Sequence, residues 1–516
     1  MVVSRRALVP DSRRSDYNLI AQPKTIRRKI RADVKCGKLP RGAMLVIFFE
    51  FCERFGFYSM LSLLALFLTA NRAGGGFGWS ESAALRLLGI YTGLMYAMPM
   101  LGGLAADRLI GHRRAIAIGG TLMFSGYLML ASLGLVPLIF DAFAGGGVEL
   151  GFTALKSPLG AWQAPIVASF SVSQAYIIVS FVFWLAIAVL VIGNALVKAT
   201  LVIVLGDSFQ GDDQGREAAY AYYYMGINLG GLIAGIIAGS IAVNVGWGAA
   251  FAAAAVGIGL GLTAYFALGP SFLGPVVLNR REFPGTLDNA KSELIDGNQG
   301  KRLALLTIFA TLLFFFSVGS LQLWGTVSLF IERGIDRHVG GILIPTEWLS
   351  SIYSAALILS APLFAAAWIR LGKLNREPDI ITKYALALTL GAAGLLLFSW
   401  MAWPRTDGAM HGWMIPTFAI TSQAAGEVAA WTATYGIIYR LAPRRIVAAV
   451  MGAFYATTLG LGGYIAAWIG QFSNSLSTHI YFLLLGVMTL AVAGVVLLLR
   501  GRLRHIAVVC GTDLMG

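Results

Sequence analysis

Glu50, Glu53 and Arg54 stand in the middle of the first long apolar run of the chain, 43–70. A charged side chain at the centre of a bilayer costs roughly 2.5–3.5 kcal/mol, so three left unpaired in one span would cost about 7–10 kcal/mol. That penalty requires them to be paired and turned toward an interior cavity. Their spacing allows it, because positions 50, 53, 54, 57, 58 and 61 form one stripe of a helix. Two carboxylates and a guanidinium therefore share a face with Phe57 and Tyr58. Two acids beside one fixed cation suit a group that gains and loses a proton as its partner moves.

With 57% hydrophobic and only 12% charged residues, the chain reads as an all-α integral membrane protein. A spanning helix needs about 20 mostly apolar residues. Twelve such spans are predicted, at 43–70, 84–106, 114–138, 175–205, 218–243, 247–269, 303–331, 348–370, 381–403, 413–439, 446–470 and 476–500. Runs of that length exclude a β-barrel. The formal net charge of +14 does not point to nucleic acid, because the positive residues gather in alternate loops. These include Arg108, Arg113 and Arg114; Arg280, Arg281, Lys291 and Lys301; Arg370, Lys373 and Arg376; and Arg500, Arg502 and Arg504. The asymmetry predicts a multi-pass protein of the cell (inner) membrane with both termini in the cytoplasm. Residues 1–42 form a basic tail without the apolar core of a signal peptide, suited to pairing with anionic lipid. Cys36, Cys52 and Cys510 have no metal-ligand spacing and imply no disulfide framework.

The spans fall into two halves, 43–269 and 303–500, joined by a polar cytoplasmic linker, 270–302, and followed by a short cytoplasmic tail, 501–516. The basic, glycine-punctuated turn from Gly102 to Arg114 has a counterpart six spans later, from Trp368 to Arg376, as in a duplicated half. The first turn resembles the signature loop of the major facilitator superfamily. Between 141 and 173 lies an irregular excursion with three consecutive glycines and two prolines, to which no function is assigned.

A sharper resemblance follows from Glu50-Phe51-Cys52-Glu53-Arg54-Phe55-Gly56-Phe57-Tyr58, which is similar to the E-x-x-E-R-F-x-Y-Y motif of the proton-dependent oligopeptide transporter family. Tyr220 to Leu232 resembles that family's signature in span 5. Gly426-Glu427-Val428, with Leu441-Ala442-Pro443, resembles its landmarks around span 10. The resemblance implies the major facilitator fold, twelve helices in two six-helix bundles. It also implies a proton-coupling cluster of Glu50, Glu53, Arg54 and the span 4 lysine, Lys198. The lysine is expected to pair with the first-span glutamates and with Glu427. Substrate contacts are expected from Lys198, Asn228, Gln322 and Glu427, and from the aromatic residues Tyr58, Tyr91, Tyr96, Tyr353, Trp431 and Phe454.

Where the family usually carries an arginine near the outer end of span 1, this chain has Leu61, and the acidic partner in span 7 falls at Leu321. Both members of that pair are absent together, which avoids an unpaired charge in the pathway. Tyr353, Trp431 and Phe454 also replace smaller or different residues of the family pattern. The site is therefore expected to be more aromatic and less cationic than is usual. The resemblance implies a proton-coupled symporter importing di- and tripeptides by alternating access, working as a monomer with the proton as its only coupling ion and no cofactor. The alternatives are a peptide-like or other small organic cargo, or antiport on the same fold. Enzyme activity is not expected. His112, His338, His411, His479 and His505 are scattered, and no nucleophile–base or metal constellation appears.

Overall fold

The computed structural model describes residues 39–72, 74–135, 172–209, 213–273, 299–404, 410–442, 447–473 and 475–509. Most of the basic N-terminal tail, of the linker and of the 141–173 excursion lies outside the described residues. Eleven helices among the described residues are long and apolar enough to cross a membrane. These are span 1 (Arg41–Thr69), span 2 (Glu81–Ile110), span 3 (His112–Ser132), span 4 (Ile177–Gly206), span 5 (Ala219–Asn244), span 6 (Trp247–Phe272), span 7 (Gly300–Trp324), span 8 (Glu347–Lys373), span 9 (Ile380–Met401), span 11 (Val450–Gly470) and span 12 (Thr478–Leu498). A twelfth helix, Met414–Leu441, is 28 residues long and takes the place of span 10. It is long enough to cross but less apolar, because Ser422, Gln423 and Glu427 interrupt it. The chain is thus a multi-pass membrane protein.

Span 1 packs on spans 5 and 6, and span 3 on spans 4 and 6, in the first half; span 9 packs on spans 10 and 12 in the second. Span 1 is the central element of its half, with apolar residues such as Phe49, Met60, Leu63 and Leu64 almost wholly enclosed. That enclosure is why its charged residues cannot reach bulk water.

Span 7 departs from the uninterrupted run predicted at 303–331. Its helix ends in a tight turn at Leu321–Trp324 and breaks at Gly325 (φ −130°, ψ −94°) before a short helix, Thr326–Gly334. The break lies where the chain passes span 2: a Cβ on Gly325 would come within 2.7 Å of Leu85 and 3.1 Å of Leu88. The predicted tail after residue 500 is also structured, as a helix from Arg500 to Val509. Arg500 and Arg504, one turn apart, hold Asp379 Oδ2 at 2.9 and 2.6 Å. Asp379 in turn caps span 9 by accepting the Thr382 N–H at 2.8 Å. Burial alone would raise the Asp379 carboxyl, but the bonds from Thr382 and Arg500 outweigh it and hold the group below the usual carboxylate range.

The two halves meet chiefly through span 5 with span 8 and span 2 with span 11. The close contacts run from Gly231, Gly235 and Gly239 to Ser354, Ser351 and Glu347, and from Gly89 to Ala467. These pairs lie toward the face whose loops are poor in basic residues. The halves are therefore held together at the face opposite the basic loops.

Candidate functional site

The sequence stripe on span 1 becomes a buried ion-pair network at the middle of the first half. Glu50 and Glu53 are 0% exposed and Arg54 is 3% exposed. Arg54 grips Glu53 in a fork, Nε to Oε2 at 2.5 Å and Nη2 to Oε1 at 2.6 Å. Its Nε also lies 3.5 Å from Glu50 Oε1. A bidentate guanidinium–carboxylate pair is strong and directionally fixed. The fork needs support, which Asn194 of span 4 gives: its Oδ1 accepts from Arg54 Nη2 at 3.3 Å while its Nδ2 donates to the Met95 carbonyl at 2.8 Å. The Arg54 guanidinium also lies 4.4 Å from the centre of the Phe57 ring.

Lys198, four residues after Asn194 on the same helix face, donates to Glu50 Oε1. The lysine side chain is 24% exposed while Glu50 is fully enclosed, so the pair lies at the edge of the network with the lysine outermost. Its ammonium is 5.7 Å from the centre of the Tyr223 ring. The second oxygen of Glu50 and the Tyr223 hydroxyl are buried without a well-formed hydrogen bond. Both cations of the network are thus committed to carboxylates, and Lys198 pairs with span 1 rather than with Glu427.

Glu427, in the second half, is held differently. Tyr353 of span 8 donates to its Oε2, and the Ser320 hydroxyl of span 7 lies 2.8 Å from the Tyr353 hydroxyl. No cation pairs with Glu427 among the described residues. Tyr58, Tyr96 and Tyr224 of the first half, and Tyr435 and Tyr455 of the second, lie within its electrostatic reach. Tyr455 stacks on Trp431 with centroids 4.9 Å apart, and its hydroxyl is 3.1 Å from that of Tyr435. Tyr58 meets Phe57 at 5.2 Å and Trp324 at 5.5 Å. A carboxylate ringed by aromatic faces, without a resident cation, is a place for an organic ammonium group. Phe454 is buried on span 11, next to Tyr455 in sequence.

Three further predicted contacts are buried. Tyr91 is fully buried behind the network, near Glu53. Asn228 is buried and donates to the Tyr224 carbonyl of its own helix at 2.9 Å. Gln322 is 1% exposed and ties three spans together: it donates to the Ala466 carbonyl at 2.9 Å and accepts from the Tyr481 hydroxyl at 2.8 Å. Its amide is spent on helix packing in this conformation. Conversely, sequence reasoning passed over Asn194, Ser320, Tyr223, Tyr224, Tyr435 and Tyr455. Asn194 carried a usable signal, a polar residue one helical turn from Lys198 in an otherwise apolar span.

Comparison with known proteins bears on the family and the fold. The PTR2 model, described as the POT family, matches residues 113–273 and 284–484. Uncharacterized transporter YclF of Bacillus subtilis is 23% identical, over 89% of this chain and 93% of its own. Dipeptide and tripeptide permease A of Escherichia coli is 22% identical, over 91% and 93% respectively. Among solved structures, a peptide transporter POT in complex with sulfate superposes with a TM-score of 0.75 at 21% identity, covering 90% of this chain and 96% of that one. A POT family transporter in complex with 5-aminolevulinic acid gives a TM-score of 0.74 at 18% identity, covering 90% and 97%.

Proposed function

From the premise that the chain belongs to the POT family, we infer that it is a proton-coupled symporter importing di- and tripeptides by alternating access. The observation that carries this reading is the buried network in which Lys198 of span 4 neutralises Glu50 of span 1, beside the Arg54–Glu53 fork. Protonation of a carboxylate in such a network removes the charge that its partner was held by. The freed cation then becomes available to a substrate carboxylate, while Glu427 takes the amino end. Proton uptake and peptide binding are thereby linked through the same side chains.

The distribution of basic loops supports a cytoplasmic location for both termini in the inner membrane. With that orientation, the contacts of span 5 with span 8 and of span 2 with span 11 close the outer side. Because Leu61 replaces a cation and Lys198 is freed only when Glu50 is protonated, the cargo would be held largely through its amine and its apolar side chains. That favours peptides, or peptide-like solutes, with bulky hydrophobic groups. The test is uptake of a dipeptide panel into liposomes containing only the purified protein, under an imposed inward proton gradient. Accumulation that collapses with a protonophore is expected. Accumulation of no peptide, or accumulation indifferent to the gradient, overturns the reading.

A further inference from the structure

Glu347 is the first residue of span 8 and is only 4% exposed. It lies at the face opposite the basic loops, where span 8 of the second half leans on span 5 of the first. Its side chain fills a notch left by glycines. A Cβ on Gly239 would come 2.7 Å from Glu347 Cβ and 3.1 Å from Oε2, and one on Gly235 would strike the Glu347 carbonyl. The neighbouring Trp348 fastens the same contact by donating to Ser240 Oγ at 3.0 Å.

No cation pairs with Glu347 among the described residues. The charged groups nearest it in effect are Glu332 and Arg337, and they are occupied with each other. Arg337 donates to Glu332 Oε1 at 2.9 Å and to the Ile344 carbonyl at 3.1 Å. The other Glu332 oxygen accepts the Thr346 hydroxyl at 2.5 Å. Span 5 faces Glu347 with glycines and Ser240, none of which titrates. An ionised carboxylate buried without a cation is costly, and a protonated one much less so.

We propose that Glu347 is a second proton-binding site, neutral while spans 5 and 8 are packed together and ionised when they part, so that acid on this face holds the gate shut. On closing, the carboxylate takes a proton from the water of that face, forming one O–H bond. On opening it returns the proton to the same water. The proton is therefore not carried across, and the site regulates without adding to the transport stoichiometry. Closure binds more protons than opening, so the closed state gains as pH falls and loses as pH rises. One such group shifts the open-to-closed ratio by up to about tenfold per pH unit between its two affinities. The proposal rests on alternating access but not on the identity of the cargo.

The experiment measures spin-label distances between Val243→Cys and Ile342→Cys, which are 47% and 71% exposed on the two sides of the contact, with Cys36, Cys52 and Cys510 replaced. Protein in lipid nanodiscs is followed from pH 5 to 8. The population with the longer distance is expected to grow with pH when Glu347 is present. With Glu347→Gln, which fixes the neutral form, that dependence should flatten to whatever slope Glu50, Glu53 and Glu427 contribute. Glu347→Ala, which removes the group outright, should lose the same part of the slope. Equal slopes with and without the carboxyl overturn the proposal. A single distance at every pH overturns both it and the alternating-access reading. A Glu347-dependent slope in a protein that moves no peptide upholds the site and sinks only the cargo assignment.

Discussion

Replacing Lys198 by alanine tests the network at its most exposed joint. Glu50 is fully enclosed, and its remaining cationic neighbour, Arg54, stands at 3.5 Å with its fork already closed on Glu53 at 2.5 and 2.6 Å. Removing one partner of a buried ion pair typically destabilises by about 3–5 kcal/mol. The loss has a ceiling, because the orphaned group can take a proton instead. For an ordinary glutamic acid with a pKa near 4.3, protonation at pH 7 costs about 3.7 kcal/mol. A loss of about 3–4 kcal/mol is therefore expected at pH 7. It should shrink by roughly 1.4 kcal/mol per pH unit on acidification, to about 1 kcal/mol at pH 5. The assay is thermal unfolding of the purified variant in detergent at both pH values, with Glu50→Gln/Lys198→Ala alongside. The double variant has no charge to orphan, so it should be more stable at pH 7 than Lys198→Ala alone. Gradient-driven uptake should fail in both. A Lys198→Ala protein equally stable at pH 7 and pH 5, or one that still concentrates peptide against a gradient, would refute the reasoning.

Glu53→Gln should abolish gradient-driven uptake, since an amide cannot ionise, while counterflow exchange survives at least in part; loss of both in a folded protein points to a structural role. Tyr353→Phe removes the donor to Glu427 and strands the Ser320 hydroxyl. A hydrogen bond to a charged group is worth about 1.5–3 kcal/mol, so KM in uptake should rise roughly 10–100-fold, and an unchanged KM counts against the role given to Tyr353. An aromatic side chain burying about 100 Å² more than alanine's gains roughly 2.5 kcal/mol before other costs, so hydrophobic dipeptides should outcompete dialanine for uptake. Asp379, held below the usual carboxylate range, stabilises above its unfolded pKa of about 3.9 and loses that contribution as pH falls through its folded value. Asp379→Asn should therefore melt earlier than the parent at neutral pH, with the gap closing as pH drops below about 4; a constant gap would show that the charge is immaterial.

Much of the fold was legible because a bilayer leaves the backbone few solutions. Long apolar runs must be helices, and the basic loops mark one face. What the sequence hid were contacts between distant segments. Gln322 looked like a lining residue, since it stands beside the missing acidic position at Leu321. Only the arrangement of spans 7, 11 and 12 reveals that its amide bridges the Ala466 carbonyl and the Tyr481 hydroxyl. The break at Gly325 was equally invisible, because its cause is the approach of span 2 and not any helix-breaking pair nearby. On span 1 the helical spacing sufficed to group Glu50, Glu53 and Arg54. It could not say that Arg54 would choose Glu53 and leave Glu50 to Lys198. The aromatic surround of Glu427 was half legible: Tyr58, Tyr96 and Tyr353 sit in recognisable positions, whereas Tyr435 and Tyr455 join only through the meeting of spans 10 and 11.

The absent charges at Leu61 and Leu321 become intelligible from how the face opposite the basic loops is closed. Leu61 is 2% exposed, and a Cβ on Gly463 would lie 3.6 Å from Leu321, so both leucines are packed where a lone charge would be costly. Among the described residues, one ion pair crosses between the halves on this face, from Arg333 to Glu81. Arg333 is 56% exposed there, and exposed pairs contribute about 0–1 kcal/mol. Closure therefore depends on helix apposition, with spans 5 and 8 in contact at Gly235 and Gly239 and spans 2 and 11 at Gly89. Contacts of that kind are short-ranged and lose about a quarter to a half of their attraction over roughly 0.5–1 Å of separation. A gate so built opens in an all-or-none manner, and small biases from a proton or a bound substrate suffice to set which state prevails.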